Sequence, residues 1–187
     1  MKPFCQHLRL ALIAISISWP AIAIAQPKLE MHRVGVKADD GSGWHLAVSS
    51  KGSFSVLLPI PFNDFTTNDA ATGETTYVVG GKSSEGIKFA AVELASSGKT
   101  PPDLAAIPKT LAASPANKVS DVSRSNKGDA DVLTLTMANA TTTLYMRSIQ
   151  QNGVRYTLTI EFPNAYRDLV AANRDRFFES FKLKAKS

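Results

Sequence analysis

Apolar residues recur at every second position through much of this chain, and these stretches predict strands. Trp44, Leu46 and Val48 alternate with His45 and Ala47, and Phe54, Val56 and Leu58 alternate with Ser55 and Leu57. A period of two places one set of side chains on a buried face, and the Gly52-containing turn between the two runs predicts a β-hairpin. Pro59 and Pro61 close the second strand, since proline has no N–H for a ladder. The polar stretch 63–74 reads as a loop or irregular edge. Residues 75–79 and 87–94 follow as two strands, joined by the glycine-rich connection 80–86.

Residues 100–113 change period. Thr100 is a candidate N-cap, Pro101 suits a first turn, and Leu104, Ala105, Ile107, Leu111 and Ala112 follow at helical spacing. Pro108 conflicts with that helix, because an interior proline removes a hydrogen bond and clashes with the preceding turn. The last third alternates again. Leu133, Leu135 and Met137, then Leu144 and Met146, then Val154, Tyr156, Leu158 and Ile160 mark three antiparallel strands. Asn152-Gly153 supplies the positive-φ residues of a tight hairpin turn between the last two. After Pro163 a helical stripe of Tyr166, Leu169, Val170, Asn173 and Phe177 appears, extended by Phe178 and Phe181. Strands, a helix, more strands and a closing helix predict an α+β fold with a central antiparallel β-sheet flanked by helices.

The beginning of the chain breaks this pattern. Lys2 and Arg9 precede the apolar run 10–17, Pro20 interrupts it, and Ala23-Ile24-Ala25 is a small-x-small cleavage site. Residues 1–25 are therefore expected to be a signal peptide, which places the protein in the periplasm or outside the cell with no membrane span. Residues 26–43 are expected to be a flexible leader with little packed structure, and residues 44–187 a single domain. Cys5, the only cysteine, precedes the apolar run, so neither a lipid-bearing cysteine nor a disulfide is expected in the mature chain. Loss of Lys2 and Arg9 lowers the net charge from +5 to +3, too little to indicate nucleic acid as a partner.

Two segments resemble the Mog1/PsbP-like superfamily, in particular its small exported bacterial members. They are Gly52-Ser53-Phe54-Ser55-Val56-Leu57-Leu58-Pro59 with Pro61, and Arg176-Phe177-Phe178-Glu179-Ser180-Phe181-Lys182-Leu183. The resemblance implies an α/β/α sandwich over about residues 44–183 and an accessory or partner-binding role without catalysis. The stretch 63–74 and Pro108 depart from the bacterial pattern.

Candidate chemistry is sparse. Gly80-Gly81-Lys82-Ser83 ends like a phosphate-binding loop, but Thr76 stands where the first glycine belongs and a strand follows in place of a helix, so a hairpin turn is expected. Ser96 and Lys99 have the Ser-x-x-Lys spacing of penicillin-recognising enzymes, yet the accompanying motifs are missing and a surface loop is expected. His32 falls in the leader and His45 on the solvent side of a strand. Two histidines without cysteine do not supply a zinc site. Asn139-Ala140-Thr141 reads as a turn, and Lys182, Lys184 and Lys186 as a solvated tail.

No catalytic, cofactor-binding or metal-binding residues are assigned, and no cofactor is expected. The leading expectation is an exported, non-enzymatic binding or accessory protein with an unidentified protein or small-molecule partner. The alternatives are a small periplasmic hydrolase using His45 with a nearby serine or carboxylate, and a small-ligand carrier with a pocket between sheet and helix.

Overall fold

The structure is a computed structural model that describes residues 28–39, 41–70, 72–95 and 103–184. The signal-peptide segment, Ser96 to Thr100, Pro101 and Lys186 lie outside the described residues. The strands in chain order are β1 (Lys28–Val36), β2 (His45–Val48), β3 (Phe54–Leu58), β4 (Phe62–Asn68), β5 (Thr75–Lys82), β6 (Lys88–Ala95), β7 (Lys118–Lys127), β8 (Ala130–Ala138), β9 (Thr142–Gln151), β10 (Val154–Pro163) and β11 (Lys182–Leu183). Helix α1 (Ala106–Leu111) precedes β7, and a 3₁₀ turn at Asn164–Tyr166 leads into α2 (Arg167–Glu179).

Eight strands form one sheet in the order β1-β4-β5-β6-β10-β9-β8-β7, and a small sheet has the order β11-β3-β2. All pairings are antiparallel. Apart from β1, which forms one edge beside β4, the large sheet consists of two meanders, β4-β5-β6 and β7-β8-β9-β10, joined along the β6–β10 ladder.

One face of this sheet, called inner here, carries Phe62, Val79, Phe89, Ala91, Tyr145, Leu158, Ile160 and Phe162. It packs against α2 and the small sheet through Val170, Phe177, Phe178, Phe54, Val56 and Leu58. Phe177 is fully buried and meets Phe89 edge to face at 5.4 Å. Arginines close the rim of this core: Arg176 lies 4.5 Å over Trp44, Arg147 4.9 Å over Phe178 and Arg174 5.3 Å over Tyr145. On the opposite, outer face, α1 sets Leu104, Ile107 and Leu111 against Leu133, Leu135, Leu144 and Met146 of β8 and β9.

The α+β expectation holds only loosely. One helix sits on each face, but the fold is predominantly β, and the inner layer is shared between α2 and the small sheet.

Several local expectations differ from the structure. Part of the expected leader forms β1, which pairs with β4. Within the stretch expected to be irregular, β4 is an interior strand whose inward residues include the polar Asp64 and Thr66. In β2 the phase is reversed: Ala47 is fully buried, whereas Leu46 and Val48 are exposed. In α2, Leu169 faces solvent, and Val170, Phe177 and Phe178 make the buried stripe. β7, an exposed edge strand of ten residues, has too few apolar positions to show a period. Pro108 is third in α1, where the N–H it lacks would have no intrahelical acceptor, so the helix accommodates it.

The reading of 80–86 as a loop also changes. Gly80 and Gly81 belong to β5, and the turn lies at 83–87. A Cβ on Gly80 would stand 2.6 Å from the carbonyl oxygen of Phe89. Glycine is needed here for close backbone approach. Asn152 and Gly153 do form the expected turn, with φ of 52° and 75°.

Candidate functional site

Two groups of polar side chains stand out, one around the β2–β3 turn and one on the outer face, and each keeps a buried atom without a partner, Asp64 Oδ1 and Arg155 Nη1. The first surrounds the turn between β2 and β3. Glu93 points from β6 to the inner face, where one oxygen, Oε2, accepts the Ser53 backbone N–H at 2.6 Å and the Ser53 hydroxyl at 2.9 Å. Ser53 has one hydroxyl hydrogen and gives it to Glu93, so Tyr156 donates to Ser53 Oγ across 2.9 Å. On the other side of the turn, Asp64 Oδ2 accepts the Ser50 N–H at 2.9 Å and Arg33 Nη2 at 2.6 Å. Arg33 also donates to the Val48 carbonyl, and Lys184 donates to the carbonyls of Ser49 and Gly52. Lys184, expected in a solvated tail, is thus a fastener of this turn.

A serine beside a carboxylate and a phenol suggests nucleophilic chemistry, but the geometry describes a clasp. The Glu93 oxygen that would accept a proton already binds the turn's backbone, and the Tyr156 hydroxyl is committed to the same serine. Burial raises the Tyr156 phenol above its ordinary pKa, and the negative charge of Glu93 adds to this, partly opposed by the Ser53 hydrogen bond. A phenol held in its neutral form is a donor and not a base.

The histidines are not brought together. His32 lies in β1, where its Nε2 is 2.7 Å from Thr66 Oγ1. His45 opens β2, half-buried, with its Nδ1 buried and unpartnered, contrary to the expected solvent-facing position. Among the described residues, no group of three or more His, Cys, Asp or Glu side chains is placed to hold a metal ion. Lys82 ends β5 exposed, without the helix a phosphate loop requires. Asn139 Oδ1 accepts the backbone N–H groups of Thr141 and Thr142, which makes residues 139–142 the expected turn.

The second group lies on the outer face, beyond the part that α1 covers. α1 covers β8 and β9 there, but the half formed by β1, β4, β5 and β6 carries Met31, Phe65, Val78, Val92 and Leu94, which belong to neither core cluster. Met31 is 42% exposed and Leu29, beside it, 55%. At the boundary between the covered and open halves stands Arg155, directly opposite Leu94 in the β6–β10 ladder. Arg155 is only 7% exposed and its Nη1 has no hydrogen-bond partner. Burial depresses its pKa, while the negative charge of Glu74 acts in the other direction. Its neighbours in the polar band, Ser148 and Thr157, bond to each other at 3.2 Å.

Arg155 escapes sequence reading because it alternates with Tyr156 and shares its face with Thr157, Thr159 and Glu161, a pattern that reads as a solvated surface. Only the insertion of β10 between β6 and β9 brings it to the middle of the sheet.

No protein-family model matches the chain, and no curated protein is found similar to it. Among solved structures, LpqN, described as involved in cell envelope biogenesis of Mycobacterium tuberculosis, aligns with a TM-score of 0.39 at 11% identity, over 86% of this chain and 85% of that one. A likeness of that size transfers neither fold nor role. Among the described residues, no helix is long and apolar enough to cross a membrane.

Proposed function

We propose that this chain is an exported binding or accessory protein that works without catalysis, and that its binding surface is the half of the outer sheet face formed by β1, β4, β5 and β6 beside Arg155. Export rests on the basic, apolar and small-residue order of residues 1–25. The observation that carries the binding reading is the buried Arg155, whose Nη1 has no hydrogen-bond partner, on a sheet face that ends in the exposed Leu29 and Met31. A buried cation is costly unless paired. The alternative centred on Ser53 has little support, since its polar atoms hold the β2–β3 turn.

Native mass spectrometry of the protein purified from its own host tests both parts. The expected result is a chain beginning near Gln26 that carries a copurified small molecule, and loss of that molecule from a Val78→Asp variant. A chain that retains Met1 removes the export reading, and a Val78→Asp variant that keeps its passenger removes the surface.

A further inference from the structure

We propose that β1 is the contact strand of a two-fold symmetric homodimer, in which the β1 strands of two copies pair antiparallel about Leu29 and join their large sheets into one. β1 is an edge of the large sheet, so one side of its backbone offers N–H and C=O groups to a further strand. It also carries Leu29, Met31 and Val34, all exposed, whereas β7 at the opposite edge exposes one large apolar residue, Val122, beside the irregularity at Asp121. Lys28 to Met31 keep unbroken register with Asn68 to Phe65 of β4, and the irregularities of β1 begin after Met31. The first four residues are thus a regular template for pairing. Pairing at this edge does not depend on what the outer face binds.

The charges select a second copy as the occupant and fix the register. A two-fold axis perpendicular to the sheet keeps each face continuous, so outward residues of one strand oppose outward residues of the other. Leu29 and Met31 stand opposite Thr67 and Phe65 on the outer face, and Lys28 and Glu30 stand opposite Asn68 and Thr66 on the inner one. Centring the axis on Leu29 sets Leu29 against Leu29 of the second copy, and Lys28 of each copy against Glu30 of the other. Two opposite-charge pairs result. Centring it on Glu30 would oppose like charges, and centring it on Met31 would run the pairing into the irregularity before Arg33. Glu30 is exposed, and its ion-pair partner within the chain is His32, with Nδ1 3.7 Å from Oε1, which leaves Oε2 for a lysine. Arg33, which bonds the Val48 carbonyl of β2, lies on the far side of Met31 from the axis, so the small sheets of the two copies stay apart.

Sedimentation equilibrium of the protein purified from its own host reads the association directly. The wild type is expected to be a dimer at micromolar concentration. Lys28→Glu and Glu30→Lys are each expected to weaken the dimer by about tenfold or more, because each change removes two attractions and adds two repulsions about the axis. The double variant, Lys28→Glu with Glu30→Lys, re-forms both pairs with reversed sign and is expected to recover wild-type association. Far-UV circular dichroism checks that each variant is folded. A wild type that stays monomeric throughout the micromolar range, a folded single variant that associates as tightly as the wild type, or a double variant as weak as the single ones overturns the proposal.

Discussion

The carbonyl oxygen of Pro61 approaches Gly81 so closely that a Cβ at that position would lie 2.4 Å from it. The obstacle is backbone, which cannot swing aside as the end of a side chain can. Gly81→Ala is therefore expected to lower stability by about 1–3 kcal/mol or more, read as a reduced urea midpoint. An unchanged midpoint would show that the segment linking β3 to β4 does not cross β5 this closely.

Glu93 holds the β2–β3 turn through two hydrogen bonds to Ser53 from one oxygen. Hydrogen bonds to charged groups contribute about 1.5–3 kcal/mol each, so Glu93→Ala is expected to cost about 3 kcal/mol in chemical denaturation. Glu93→Gln, which keeps an acceptor oxygen, should cost less. If instead Ser53 and Glu93 were catalytic, the substitution would leave stability nearly untouched.

Tyr156 gives the fold a pH dependence of defined sign. Its folded pKa is raised, first by burial, above an unfolded value of about 10. Below that unfolded value the phenol is neutral in both states and its contribution is complete. As pH rises beyond it, the unfolded chain ionises first and stability falls until the folded pKa is passed. Urea unfolding between pH 9 and 12, a window set by the ordinary tyrosine pKa of about 10, should show a steeper alkaline loss for the wild type than for Tyr156→Phe.

Arg155 is expected to trade stability for binding. Replacing buried ionic groups with apolar side chains of similar volume is often neutral or stabilising by about 1–4 kcal/mol. Arg155→Met should therefore leave the melting temperature unchanged or raise it. A lower melting temperature would mean that the guanidinium supports the sheet.

Where burial was one-sided, period and position in the sheet agreed. Phe54, Val56 and Leu58, the three C-terminal meander strands and the Asn152-Gly153 turn were all legible from alternation and turn chemistry. The misreadings share a physical origin. β4 buries Asp64 and Thr66 beside Arg33 and His32 of the neighbouring strand, which bond to Asp64 Oδ2 and Thr66 Oγ1 while Asp64 Oδ1 stays unpartnered, so its inward face looks polar. β2 turns Leu46 and Val48 outward because its core contribution is the small Ala47. Gly80 and Gly81 resemble a loop but mark close approach inside a strand. Arg155 and Glu93 lie in strands separated by β7, β8 and β9 along the chain, and their roles arise only from the order in which the strands assemble.

That order also sets how the molecule comes apart. The two meanders are built from neighbouring strands, whereas the β6–β10 ladder joins residues distant along the chain. Short loops close at less entropic cost than long ones, so each meander can gather by itself before the two halves zip together. The amides of Ala90, Val92, Thr157 and Thr159 along that seam would then share one opening event in hydrogen exchange.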